Sequence, residues 1–102
     1  MTTSLLQSLA APRRRQVLKA VWKRELAAGE IHAAVGEVTF GAVSQHLRVL
    51  RMAGAVSMRK DGRRRLYRAR RDALGPLARV LEQEWDERLN RLKSLAEAEE
   101  GR

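Results

Sequence analysis

Apolar residues recur along this chain at helical spacing on both sides of a short segment where the spacing changes. Between Pro12 and Leu26 they fall at Val17, Leu18, Val21, Trp22 and Leu26. That interval buries one stripe of a helix and leaves Arg14, Lys19 and Lys23 outside. Pro12 suits the first turn, where a backbone N–H has no partner to lose. An Ala-rich stretch from Ala28 to Val35 is also helix-compatible and stops at Gly36, a residue that takes the left-handed conformation after a helix. Thr39 reads as the N-cap of a further helix, about Phe40 to Ala53, closed by Gly54.

In that helix Val43, Leu47 and Leu50 stand at i, i+4 and i+7, which anchors one face in a core. The remaining surface carries Ser44, Gln45, Arg48 and Arg51. Val56 to Lys60 and Arg63 to Ala69 then read as two short strands around Asp61-Gly62, a hairpin signal, with Val56, Met58 and Leu66 facing inward and Tyr67 packing beside them. From Asp72 the helical period returns. Gly75-Pro76 separates a first turn from a long helix of about Leu77 to Glu97, whose stripe runs through Leu77, Leu81, Trp85, Leu89, Leu92 and Ala96. The stripe is longer than a small core needs, and Leu5, Leu6 and Leu9 add apolar surface at the other terminus. Together they predict pairing with a second copy through Leu5, Leu6, Leu9, Leu81, Trp85, Leu89 and Leu92. The acidic end, Glu97 to Glu100, is expected to fray.

A length of 102 residues accommodates one domain, 1–102, with a recognition-type helix at about 39–53, a hairpin at about 56–69 and a terminal helix at about 76–97. The fold class expected is mainly α with a two-stranded β wing. The net charge of +9 is concentrated in the middle: from Pro12 to Arg71 there are 16 Lys and Arg against 4 Asp and Glu, whereas from Asp72 onward there are 5 against 8. A basic middle beside an acidic end suits a module that binds a polyanion through one surface and something else through the other. Arg59, Lys60, Arg63, Arg64, Arg65 and Arg68 crowd the hairpin. Six cations in so short a span repel one another until an anion neutralises them, and a hairpin tip is shaped to lie along phosphates. Arg pairs bidentately with guanine, Gln with adenine, and Ser or Thr reaches bases or phosphates, so the exposed side of the Phe40 helix has the chemistry of a major-groove reader.

Several function classes are excluded or disfavoured. With no cysteine there is no disulfide, thiolate metal site or thiol switch. No apolar run approaches the roughly 20 residues that span a bilayer. The basic run Arg13-Arg14-Arg15 follows the apolar patch instead of preceding it, the wrong order for a secretory signal, so a cytoplasmic location is expected. Neither His32 nor His46 has a nucleophile or metal partner nearby in sequence, and no Gly-rich phosphate loop is present, so no catalytic residue, cofactor or enzymatic activity is expected. His46 either neighbours DNA or packs between Val43 and Leu50.

Read in order, these segments resemble the ArsR family of winged helix-turn-helix repressors over nearly the whole chain. The resemblance rests on Leu9-Ala10-Ala11-Pro12-Arg13-Arg14-Arg15-Gln16-Val17-Leu18, on Val43-Ser44-Gln45-His46-Leu47-Arg48-Val49-Leu50, and on Ala53-Gly54-Ala55-Val56 with Gly62-Arg63 and Tyr67-Arg68. It implies a homodimer joined through first and last helices, binding double-stranded DNA at a near-palindromic operator. Thr39, Ser44, Gln45, His46, Arg48 and Arg51 then fall on the recognition helix, and Lys60, Arg63, Arg64 and Arg65 on the wing. The chain departs from the family at Phe40 and Gly41, where many relatives are polar, and so promises fewer base contacts there.

It departs again at Glu30-Ile31-His32-Ala33-Ala34, where many relatives carry a cysteine pair, and the carboxylates Glu82, Glu84, Asp86 and Glu87 have no histidine beside them. Zinc prefers N and S ligands, so metal sensing is not expected, and any other effector is unspecified. Two other readings stay open on the sequence: a protein-interaction module using the Trp85 helix, and an architectural protein that binds DNA without reading it.

Overall fold

The computed structural model describes residues 4–100. The first element, α1 (Leu5–Ser8), is a single turn held at both ends. Ser4 Oγ accepts the Gln7 N–H at 3.1 Å, and Gln7 Oε1 accepts the Ser4 N–H at 3.3 Å, a reciprocal cap. From the following helix, Arg14 Nη1 donates to the Ser8 carbonyl at 3.1 Å and Arg15 Nη1 to the Leu9 carbonyl at 2.7 Å. The basic run is thus partly structural. Arg14, expected outside, is half-buried, and its Nε is enclosed without a hydrogen-bond partner among the described residues.

α2 (Pro12–Ala20) starts on Pro12 as expected but ends six residues before Leu26. The apolar spacing continues past Ala20 because Val21 and Trp22 turn into the core, while Leu26 enters it from a different element, β1 (Leu26–Ala27). The Val21 carbonyl accepts the Ala69 N–H at 3.0 Å, so backbone pairing with the sheet replaces the next helical turn. α3 (Ala28–Val35) follows and buries Ile31 completely. Gly36 ends it with φ +67°, and the His32 Nε2–H donates to the Val38 carbonyl at 2.7 Å across the connection to the next helix.

α4 (Phe40–Met52) begins where the sequence placed it, with Thr39 Oγ1 accepting the Ala42 N–H at 3.0 Å. Val43, Leu47 and Leu50 lie against α2 and α3 in the core. The hairpin is β2 (Val56–Asp61) and β3 (Arg64–Ala69). Its turn pair is Gly62-Arg63, not Asp61-Gly62, since Asp61 still pairs with Arg64. Gly62 has φ +63° and Arg63 does not share the sign, which matches a turn with glycine at its first central position. A third strand was not anticipated: β1 pairs with β3, giving an antiparallel sheet in the order β1-β3-β2. Two residues carry no periodicity from which a strand could be read.

Residues directly opposite in an antiparallel pair share a face. Val56 and Met58 therefore lie with Ala69 and Tyr67 on the core side, whereas Leu66, opposite Arg59, is buried on the reverse side and stands outside the main core cluster. Leu66 does not join Val56 and Met58, because its parity in β3 differs by one.

After α5 (Arg71–Leu74) and Gly75, α6 (Pro76–Glu100) runs 25 residues. Only its first turns, with Ala78 and Leu81, are buried on the protomer. The acidic end, expected to fray, continues the helix to Glu100. Ala96 and Ala98, with the glutamates around them, are strong helix formers and account for that continuation.

Candidate nucleic-acid interface

The core face of α4 fixes its outer face. With Val43, Leu47 and Leu50 held inside, Ser44, Gln45, Arg48 and Arg51 are exposed. β2 lies against this helix, and between α4 and the hairpin is an open groove of about 570 Å³ lined by Ser44, Arg48 and Arg51 from α4 and by Arg65 and Tyr67 from β3, with Leu47 and Met52 completing it. Lys60 is paired with Arg65 in the sheet register and shares its face, and Arg63 occupies the turn. Arg48, Arg51, Lys60, Arg63 and Arg65 make no ion pair or side-chain hydrogen bond among the described residues. The groove therefore concentrates uncompensated cations between a helix and a wing, where a phosphate or the acceptor edge of a base would neutralise them.

Two other cations of the wing are already paired. Arg59 and Arg64 belong to the opposite face of the hairpin, where Glu25 and Glu30 meet them. Glu25 is held below the usual carboxylate range chiefly by its hydrogen bond from Arg59, with burial opposing the shift. Arg64, expected on the DNA-contacting wing, thus has a carboxylate partner within the chain. Thr39 contributes its hydroxyl oxygen as a cap, and Phe40 is exposed with its ring edge-on to His32 at 6.0 Å.

His46 is half-buried, and its ring holds a proton less readily than a free histidine, first because of burial and then because of the charge on Arg14. A depressed folded-state affinity means the unfolded chain takes up the proton first as pH falls. Stability from this residue is complete above about pH 6.5 and is lost as pH falls through the folded-state value. His46→Gln should therefore flatten the fall in Tm between pH 7.5 and 5. An unchanged profile would assign the acid sensitivity to other groups.

The surface expected to pair with a second copy divides in two. Leu6, Leu89 and Leu92 are exposed, at 67%, 51% and 65%, and Val80 and Leu95 are exposed as well. Leu9 and Leu81, at 7% and 4%, are instead buried in the chain's own core: Leu81 lies on the part of α6 that still rests on the protomer, and Leu9 in the turn that Arg15 closes. Leu5 packs partly against that core. Trp85 sits between the two regions, its ring edge-on to Trp22 at 5.0 Å, while Trp22 Nε1 donates to Glu82 at 3.2 Å.

Two features of the site escaped sequence reasoning. Tyr67 and Met52 line the groove, and for Tyr67 the signal was its alternation with Arg65 in β3. The Glu25 and Glu30 partners lie 34 residues from the arginines they meet, a separation that no local pattern reveals. Among the described residues no three His, Cys, Asp or Glu gather in a way that could hold a metal ion. No described helix is long and apolar enough to cross a membrane.

Comparison with known proteins agrees with this geometry. The family described as bacterial regulatory protein, arsR family, matches residues 11–57, from the start of α2 to the start of β2. The nodulation protein NolR of Rhizobium meliloti is 34% identical over 74 residues, which make up 72% of this chain and 60% of NolR, so the chain spans less than two thirds of that relative. Among solved structures, an ArsR-like transcriptional regulator from Rhodococcus sp. RHA1 is 32% identical with a TM-score of 0.63, the match covering 89% of this chain and 88% of the other. A homodimeric winged helix-turn-helix DNA-binding domain from Mycobacterium bovis, described as a possible ArsR-family regulator, is 29% identical with a TM-score of 0.69, covering 81% and 76%. With this order of helices, its wing and these relatives, the chain belongs to the ArsR family of bacterial regulatory proteins.

Proposed function

We propose that this chain is a sequence-specific DNA-binding transcriptional regulator, acting in the cytoplasm as a homodimeric repressor and by binding instead of catalysis. The observation that carries the reading is the groove between α4 and the wing, where Arg48, Arg51 and Arg65 converge without carboxylate partners. α4 enters the major groove, Gln45 and Arg48 address base edges, and Lys60, Arg63 and Arg65 lie along phosphates. Two copies place two such helices on a near-palindromic operator. The test is a titration of double-stranded DNA from upstream of the chain's own gene, against scrambled DNA of equal length, at two salt concentrations. A preference of about a thousandfold or more that persists at the higher salt supports the reading. Equal affinities that collapse together with salt would leave an architectural binder driven by charge alone.

The exposed apolar residues on the projecting part of α6 support the dimer, as does the homodimeric state of the M. bovis relative. Leu89 and Leu92 lie outside the protomer core and are free to meet their equivalents about a twofold axis. Leu92→Glu would bury a carboxylate twice in that contact and should raise the dimer dissociation constant at least about a hundredfold, read by sedimentation equilibrium. A variant that stays as dimeric as the parent would remove α6 from the interface.

A further inference from the structure

We propose that Glu25 and Glu30 are specificity-determining residues that neutralise Arg59 and Arg64 on the rear face of the wing, so that DNA phosphates meet most of the hairpin's free cations on the groove side. The proposal rests on the DNA-binding reading and deepens it.

The sheet register separates the hairpin's cations into two sets. Lys60 and Arg65 pair across the strands on the face that lines the groove with α4. Arg59, Arg64 and Arg68 lie on the other face with Leu66; Arg68, at the base of the hairpin, has no ion pair among the described residues and acts on Glu25 only through its charge. There Arg59 is held by both oxygens of Glu25, Nε to Oε2 at 2.7 Å and Nη2 to Oε1 at 3.0 Å. Arg64 Nη2 donates to Glu30 Oε1 at 2.5 Å, and the same oxygen accepts the Ala27 N–H at 3.0 Å. The two-residue strand β1 explains how carboxylates arrive on this face. Ala27 is opposite Leu66, so the alternation along the chain carries Glu25 to the same side of the sheet as Arg59. Glu30 reaches it from the first turn of α3.

A paired guanidinium releases few counterions from DNA. A free one adds about 0.9 to the slope of log affinity against log salt, and hence about 3.5-fold in affinity between 50 and 200 mM salt. Freed cations on the rear face would find phosphates chiefly when DNA lies in a wrong register, because the groove side is where α4 reads bases. Neutralising that face suppresses random binding more than operator binding.

Glu25→Gln with Glu30→Gln tests this. The amide keeps an oxygen for the Ala27 N–H, so the charge is removed and the turn is retained. Fluorescence anisotropy would follow a scrambled duplex and the duplex from upstream of the chain's own gene between 50 and 200 mM salt. The expected result is a gain in affinity for scrambled DNA that is about tenfold larger per protomer at 50 mM than at 200 mM, a salt slope steeper by about 2 per protomer, and a reduced ratio of specific to random binding. The same pair of substitutions placed on Arg59→Ala with Arg64→Ala should change none of these, because no guanidinium remains to be freed. An unaltered slope, or an equal gain without the arginines, would overturn the proposal. A parent chain that binds DNA without preferring its upstream duplex would count against the regulator reading instead, and the slope comparison on scrambled DNA would still decide the role of the two glutamates.

Discussion

Arg48→Ala should weaken binding to the operator by about 1–3 kcal/mol per half-site, roughly 5-fold to 150-fold, and should weaken binding to scrambled DNA much less. The expectation follows from position. Arg48 leaves α4 one residue beyond Leu47, whose burial holds that turn of the helix in place, and its guanidinium has no partner among the described residues. A bidentate contact to guanine is lost with the side chain, and the helix remains where it was. Arg65→Ala, on the wing side of the same groove, should weaken both DNAs by similar factors and lower the salt slope by about 1. If Arg48→Ala and Arg65→Ala reduced specific and random binding equally, the division between a reading helix and a phosphate-following wing would fail.

The second large effect is on stability. Leu47 is 1% exposed, sits midway along the buried stripe of α4, and borders the groove through the few atoms that reach it. Leu47→Ala should destabilise the fold by about 2–5 kcal/mol through lost burial and the cavity left behind. In a domain of this size that is a large part of the total, and Tm should fall by roughly 8 °C or more. Urea unfolding followed by Trp22 and Trp85 fluorescence measures it. A loss below 1 kcal/mol would mean that α4 is held by its ends instead of by its stripe.

Legibility in the sequence followed the range of the interaction. The limits of α4 were readable because their causes are local: a Thr39 hydroxyl three residues from the N–H it accepts, and Gly54 at φ +83° just past the end. The exposed set Ser44, Gln45, Arg48 and Arg51 followed from the stripe beside it. Leu26 was misplaced because a turn and a helix presented the same apolar spacing, and only the pairing of Leu26 with Tyr67, far along the chain, distinguishes them. The hairpin was readable in extent but not in register, since Asp61-Gly62 and Gly62-Arg63 are both acceptable turn centres until the strands are paired. The charge count foretold a crowded wing, and the structure adds that part of the crowding is relieved from within. Glu25 and Glu30 do this from segments that contact the hairpin only after the chain has folded.

The strand order β1-β3-β2 also leaves β2 at an edge of the sheet. An edge strand offers unpaired N–H and C=O groups to any other extended chain, and crowded solutions turn such edges into seeds of aggregation. In β2 that edge carries Arg59, Lys60 and Asp61 toward the tip, with Ser57 exposed before them. Two such wings meeting edge to edge would have to bring their Lys60 ammonium groups, which have no ion pair among the described residues, out of water, together with the charged Arg59–Glu25 pairs. The cations that suit the wing to a phosphate backbone therefore also keep it from its own kind, and swapping them for neutral β-formers would exchange a nucleic-acid surface for an adhesive one.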